Sequence, residues 1–312
     1  MKKAILILIP IVALVLISNH NKVEAAKNTT LAIVPGTTPT LAPGMSAGYI
    51  NEQAVTIQGY AGDAMEPSIS RDGKYLFWNS LNDAKDTTLF YARRLNDTTF
   101  EYVGQVGGVN GAKPHLDAVA SLGLDNEFYW VSLRNYPKVL ENYQHGHFNN
   151  GIVTGVAPVK GDFYKRESGW LIMDAEISPD GQTLVYADAK FTLGPVPSDS
   201  IMGIARKSGD AFVKDPNSDT IFQNINVKGV VGYAPSYSAD GRTLLFTRLV
   251  QGTTKIYVST RGSMSEPFGK PAQLDIGGDL TEAASQTYDG KKIYYHKKVG
   301  SIYKIFMMTK VN

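Results

Sequence analysis

No cysteine occurs anywhere in the 312 residues, which excludes disulfides, thiolate metal sites and a cysteine-linked lipid anchor. Charge of one sign is also scarce. The net charge is +2, with a pI near 8.4, and no basic stripe appears, so a nucleic-acid partner is not expected. A membrane-length apolar run is missing too. The stretch from Ala4 to Ser18 is interrupted by Pro10, and its length of about 15 residues falls short of the roughly 20 that span a bilayer. Lys2 and Lys3 precede that stretch and Val23-Glu24-Ala25 follows it, the pattern of an export signal over residues 1–25. The expectation is a periplasmic or secreted protein with no membrane span once the signal is removed.

Residues 26–48 are rich in Thr, Pro, Ala and Gly without periodicity, a linker composition. The remainder, residues 49–312, suits one large domain. Long helical patterns are few, and the 17 Tyr and 12 Phe favour strands.

Repetition supplies the main signal. EPSISRDGKYLFW begins at Glu66, DAEISPDGQTLVYA at Asp174, APSYSADGRTLLFT at Ala234 and EAASQTYDGKKIYYH at Glu282. A degraded copy, KPHLDAVASLGLDNEFYW, begins at Lys113. The turn residues Asp72, Asp125, Asp180, Asp240 and Asp289 recur at roughly 50–60 residues, the mark of a repeat architecture. Each copy reads as a short strand, an Asp-Gly turn, a strongly apolar strand and then an alternating third strand. Glycine accepts the positive φ of such a turn at little steric cost. An aromatic recurs beyond the third strand at Phe100, Phe212 and Phe268, with Phe163 as the expected counterpart in the second copy. Four antiparallel strands repeated radially describe a β-propeller. The fifth copy ends after its third strand, while Ala54–Tyr60 (AVTIQGY) precedes the first. The fold expected is therefore an all-β, five-bladed β-propeller, closed by an N-terminal strand that completes the last blade and leaves no open edge.

At SPDGQTLVYA and SADGRTLLFT the chain resembles the TolB-type, WD-repeat-like propeller repeats. The resemblance touches all five turns, though Asn126 replaces Gly in the second copy. It implies a scaffold. TolB proteins carry six blades and an extra N-terminal domain, so their envelope partners are not implied for this chain.

If the phrase-bearing strand is innermost, all five starts lie at one channel mouth, together with the loops between second and third strands. Two of those loops are long, Arg134–His147 and Asp188–Ser200, and loops on a rigid scaffold commonly carry function. Candidate binding residues are the carboxylates Glu66, Asp174, Glu176 and Glu282, the cationic Lys113 and His115, and the aromatics Tyr233, Tyr136 and Tyr143. Carboxylates converging on a channel favour raised pKa values or a bound divalent cation; alternatively, each caps a turn or pairs across a blade.

Three chemical constellations stand out. His115, His145 and His147 would form a three-nitrogen metal site if they converge, as in some TolB-like propellers that act on pectin fragments. Glu66, Asp174 and Glu282, from different blades, would serve a glycoside hydrolase or lyase if two lay about 5 Å or about 6.5–9.5 Å apart. Gly44-Met45-Ser46-Ala47-Gly48 matches a nucleophile elbow, but it lies in linker composition with no helix after it. Trp78 and Trp130 fall on apolar second strands, where blade packing needs them. The expected function is a monomeric, non-catalytic scaffold binding an envelope protein or glycan on the long-loop face, without an organic cofactor. A carbohydrate-active enzyme is the alternative.

Overall fold

The computed structural model describes residues 48–311 apart from 193, 195 and 279. The expected signal and linker, with the Gly44–Gly48 motif, lie outside the described residues except for Gly48. Five small sheets form the five blades of a β-propeller. The inner strands are Met65–Ile69, His115–Leu122, Trp170–Ile177, Gly232–Tyr237 and Thr281–Gln286. Each touches the next, and the fifth touches the first, so the phrase-bearing strands surround the axis.

Second strands run over Tyr75–Asn79, Glu127–Ser132, Thr183–Lys190, Thr243–Val250 and Lys292–Val299. Third strands are Leu89–Arg94, Tyr143–Asn149, Asp199–Ser208, Thr253–Thr260 and Ile302–Lys310. Fourth strands vary most: Thr99–Gln105, Ile152–Pro158, Ala211–Lys214, Ala272–Gln273 and, in blade five, the N-terminal Tyr49–Ala54.

The repeated phrase has a mechanical reason. In four blades the hydroxyl of Ser70, Ser178, Ser238 or Thr287 donates to the Asp two residues on, at 2.5–2.7 Å. The same Asp oxygen accepts the backbone N–H two residues further along. Burial pushes these four carboxyls up, but the hydrogen bonds outweigh it and hold them below the usual Asp value. Gly73, Gly181, Gly241 and Gly290 follow, with φ between +66° and +70°. Asn126 stands in the degraded copy at φ +64°, which Asn tolerates better than other non-glycine residues. The weak copy is thus a competent turn.

Every inner strand carries a bulge. At it, Glu66, Val119, Ala234 and Ala283 adopt φ of +51° to +56°, at about 1–2 kcal/mol each. Beyond the bulge, in four of the five blades, an N–H turns toward the neighbouring blade. Ile69 N donates to Ser285 Oγ (3.1 Å), Ile177 N to Ser121 Oγ (3.0 Å), Gln286 N to Ser236 Oγ (3.0 Å), and Tyr237 N to Glu176.

Between blades lie aromatic and aliphatic clusters. Phe77, Phe128, Trp130 and Phe148 join blades one and two; Trp78, Phe100, Tyr294 and Met307 join blades one and five. Trp78 and Trp130 are fully buried core residues.

Closure uses an N-terminal strand, displaced from the expected segment. Tyr49–Ala54 pairs antiparallel with the third strand of blade five, Tyr49 opposite Lys310 and Ala54 opposite Phe306. Thr56–Gln58 then runs parallel to the fourth strand of blade one. The segment expected to close blade five therefore mostly braces blade one, and the closing residues lie just upstream. In YINEQA only Tyr49 is buried, so its alternation is weak. Phe163 is also corrected: it follows blade two and packs with Tyr164, Tyr186 and Phe212 at the seam with blade three.

Deleting residues 49–54 should expose the third strand of blade five as an open edge. The expected outcome is mostly insoluble protein, measured by fractionation and thermal melting. A soluble deletion with an unchanged cooperative melt would contradict closure by this strand.

Candidate functional site at the channel mouth

Three carboxylates converge where the inner strands begin. Glu66 lies on the blade-one bulge, Asp174 occupies the matching position in blade three, and Glu282 comes one residue earlier in its own blade. They are 7%, 1% and 3% exposed.

Glu66 Oε1 accepts from Asn82 Nδ2 at 3.0 Å, and the Glu66 N–H donates to His296 Nδ1 at 2.9 Å. Glu282 accepts from Tyr233 OH and Thr254 Oγ1, both at 3.0 Å. Neither Asp174 oxygen has a partner of good hydrogen-bond geometry, and Glu66 Oε2 and His296 Nε2 also lack one. Burial drives every shift here. It lifts Asp174 to about 7, with the Ala234 amide opposing and the Glu282 charge adding. It raises Glu66 well above the carboxylate range, helped by Asp174 and Glu282. It raises Glu282 against its two hydrogen bonds, and depresses His296 to about 3. At neutral pH the mouth therefore holds protons, and His296 is neutral.

The space beside these groups is small. A cavity of about 30 Å³ meets Glu66, Tyr233 and Glu282, about the volume of one water molecule. Met65, Leu81, Met173, Val196, Pro197 and Leu249 close over it. Along the axis a second cavity of about 40 Å³ runs past Asp174 and Glu176. As arranged, the space at the mouth is too small for a sugar ring.

At the far end Arg71 closes the channel. Its guanidinium meets Glu176 Oε1 at 2.8 Å and the Ile177 carbonyl at 2.9 Å, with 6% of the residue exposed. Burial raises the Glu176 carboxyl, opposed first by Arg71 and then by the Tyr237 amide. Glu176 is thus a cross-axis ion-pair partner.

The other expected residues disperse. Lys113 is exposed and paired with Asp86. His115 is buried, its Nε2 3.2 Å from Thr88 Oγ1. His145 and His147 lie on the third strand of blade two, and both face Glu127, at 3.2 and 3.5 Å. The expected loop is therefore shorter, and His115 sits apart on the inner strand. Among the described residues no group of three or more His, Asp or Glu is placed to hold a metal ion, and the three histidines are not brought together. Tyr143 is wholly buried, with its OH 3.3 Å from the Ala175 carbonyl, and presents nothing to a ligand. Tyr136 is half-buried and its OH accepts the Gly169 N–H at 3.2 Å.

Arg71, Asn82, Thr254 and His296 were not anticipated. Arg71 had a visible signal: it occupies the Ser-x-Asp-Gly variable position where other copies carry Pro179, Ala239 and Tyr288. Among the described residues no helix is long and apolar enough to cross a membrane.

No protein-family model and no curated protein matches the sequence. Solved structures match by shape. A structure titled "Glycoside hydrolase" shares 10% identity at TM-score 0.57, covering 82% of this chain and 90% of that one. The catalytic domain of a Coprinopsis cinerea GH62 α-L-arabinofuranosidase shares 10% at 0.52, covering 82% and 94%. TolB from Acinetobacter baumannii shares 16% at 0.42, covering 72% of this chain; the chain spans about half (47%) of that protein. At these identities the likeness is one of fold.

Two outcomes follow from the axis. Arg71→Ala leaves Glu176 buried without its cation and should cost about 3–5 kcal/mol in denaturant melts, while Arg71→Met with Glu176→Ser should recover most of the loss. Asp174 binds its proton more tightly folded than unfolded, so its contribution to stability declines as pH rises from about 4 to about 7. Asp174→Asn should remove that decline and raise the melting temperature at pH 8; an equal or lower value would contradict the protonated mouth.

Proposed function

We propose that the chain is an exported, non-catalytic binding propeller whose ligand docks on the face carrying the long loops of blades two and three. The observation that carries this reading is the packing of the two loops into one platform. Leu171, Ala189 and Phe191 form a satellite cluster against which Leu133, Tyr136 and Met173 pack. Arg134 anchors the first loop, reaching Asp117 at 2.8 Å, Ser132 Oγ at 2.8 Å and the Val109 carbonyl. Held this way, a loop loses little conformational freedom on binding.

The exposed tips are Pro137, Lys138, Val139 and Val196. Small apolar groups with one cation, and no exposed aromatic ring among them, favour a protein partner over a glycan, which stacks on aromatic faces. The buried carboxylates, in this reading, are part of the wheel. The enzyme reading draws on the propeller hydrolases that share the fold and on the raised Asp174 carboxyl, and it requires the loops to lift from the mouth.

Intact protein and a variant with residues 135–140 replaced by Gly-Gly should differ in capture of partners from envelope extract, and in the affinity of whichever partner is then purified. Equal affinity for both forms would remove the loop face from consideration. A panel of chromogenic arabinosides, xylosides and galactosides should show no turnover. Hydrolysis lost in both Asp174→Asn and Glu282→Gln, with folding preserved, would establish the enzyme instead.

A further inference from the structure

Blade three departs from its neighbours at its outer edge. Its third strand is long, Asp199–Ser208, but the fourth, Ala211–Lys214, covers only the half from Ala205 onward. Over the uncovered half the chain folds into a short helical turn, Ser218–Ile221, and continues to Lys228. The Asn226 side chain satisfies both backbone groups of Met202, at 2.9 and 2.8 Å. The strand edge is thus capped without being filled, and a cavity of about 590 Å³ remains. This lies within the roughly 300–1,000 Å³ typical of small-molecule sites, whereas the axial cavities measure about 30 and 40 Å³.

At its floor lie Tyr186 and Asp188, on the same face of the second strand. Opposite Tyr186 stands Gly203, where a Cβ would meet the tyrosine ring and hydroxyl at 2.6 Å. Glycine is what keeps this corner open. Asp188 is 4% exposed, yet no hydrogen bond to its carboxylate occurs among the described residues. A buried carboxylate without a partner carries a large desolvation penalty.

We propose that this outer seam binds a ligand bearing an organic ammonium group, with Asp188 as its counter-ion. Charge balance points the same way. The walls carry Asp162 and Lys165 from the linker between blades and Asp199 from the third strand. Lys214 comes from the fourth strand, and Asp219 and Lys228 from the helical segment. With Asp188 there are four carboxylates to three ammonium groups, one cation short. Lys214 is committed to Asp219 at 2.8 Å, and Lys165 lies 3.3 Å from the centre of the Trp170 ring. Among the described residues no three acids are placed to hold a metal, and the missing charge fits an organic cation making charge-assisted hydrogen bonds. Burial raises the vacant Asp188 to about 7, against the opposing charges of Lys165 and Lys214. None of the residues lining the cavity belongs to the Leu171–Ala189–Phe191 cluster of the loop platform, so its ligand does not depend on the protein-binding reading.

The test is calorimetric titration of the full chain with cadaverine, Nα-acetyl-lysine amide and, as an uncharged control, Nα-acetyl-norleucine amide. Either amine should bind saturably at pH 8, and the control should not. Cadaverine alone marks a free amine as the ligand; the lysine amide marks a peptide side chain. Affinity should fall about tenfold from pH 8 to pH 6, as protonation removes the counter-ion. Asp188→Asn should weaken binding at least tenfold, and it should melt no lower than the parent at pH 8, since it deletes an unpaired buried charge. The same amine should raise the parent's melting temperature more at pH 8 than at pH 6, a readout independent of the variant. No binding by either amine, equal binding by the control, or affinity unaffected by pH and by Asp188→Asn would overturn the proposal.

Discussion

Hydrogen bonds that run around the axis, from one blade to the next, are the constraint on which this wheel rests. Apart from His115–Leu116, which also pair with Asp86–Thr87, the innermost strands have a ladder partner on one side only, so their channel-facing backbone groups need other partners. Buried N–H groups left unpaired cost about as much as a lost hydrogen bond. Here, beyond the bulge, one N–H in each of four blades turns toward the neighbouring blade, where a side chain receives it: Ser285, Ser121, Ser236 or Glu176. The left-handed backbone at Glu66, Ala234 and Ala283 is the local cost of that rotation. Because each clasp joins two blades, the strain is tolerated only in the closed ring.

Blade three uses this requirement differently. Where other copies place serine, it places Glu176, which accepts the clasp N–H and still has an oxygen for Arg71 across the channel. A carboxylate there needs a buried cation; the cation in turn closes the far mouth. The near mouth follows the opposite electrostatic logic. Glu66, Asp174 and Glu282 have no buried cation between them, so burial and mutual repulsion keep protons on the cluster. One end of the channel is neutralised by pairing, the other by protonation.

The architecture was legible because the clasp and the turn leave an imprint. Ser-x-Asp-Gly repeats because its serine and aspartate close the hairpin, and the serine two residues before it repeats because the next blade bonds to it. Strand count, ring size and N-terminal closure all follow from that phrase. Register did not follow where alternation is weak, and YINEQA, with one buried residue of six, hid the true closing strand. The convergence of Glu66, Asp174 and Glu282 was legible because copies can be aligned. Their enclosure was not, since Leu81, Val196, Pro197 and Leu249 come from connections outside the phrase. His145 and His147 misled for the opposite reason: two residues apart on a strand, they share a face but meet Glu127 rather than His115.

The ring bonds also explain where variation accumulates. Clasps and turns engage the inner and second strands, while interblade clusters hold the third and single side chains of the fourth, such as Phe100 and Phe212, so the length of the fourth is the least constrained. Its length falls from seven residues in blades one and two to four in blade three and two in blade four. Where the fourth strand stops early, the third strand's outer backbone must be satisfied by side chains, as Asn226 does for Met202. Side-chain caps fill less space than a strand. Shortening an outer strand therefore opens a cavity without loosening the axis, and in blade three that cavity exposes a floor made by the second strand. A closed, tightly clasped centre and a permissive perimeter are two consequences of one hydrogen-bonding rule, and they place the adaptable chemistry of this wheel at its rim.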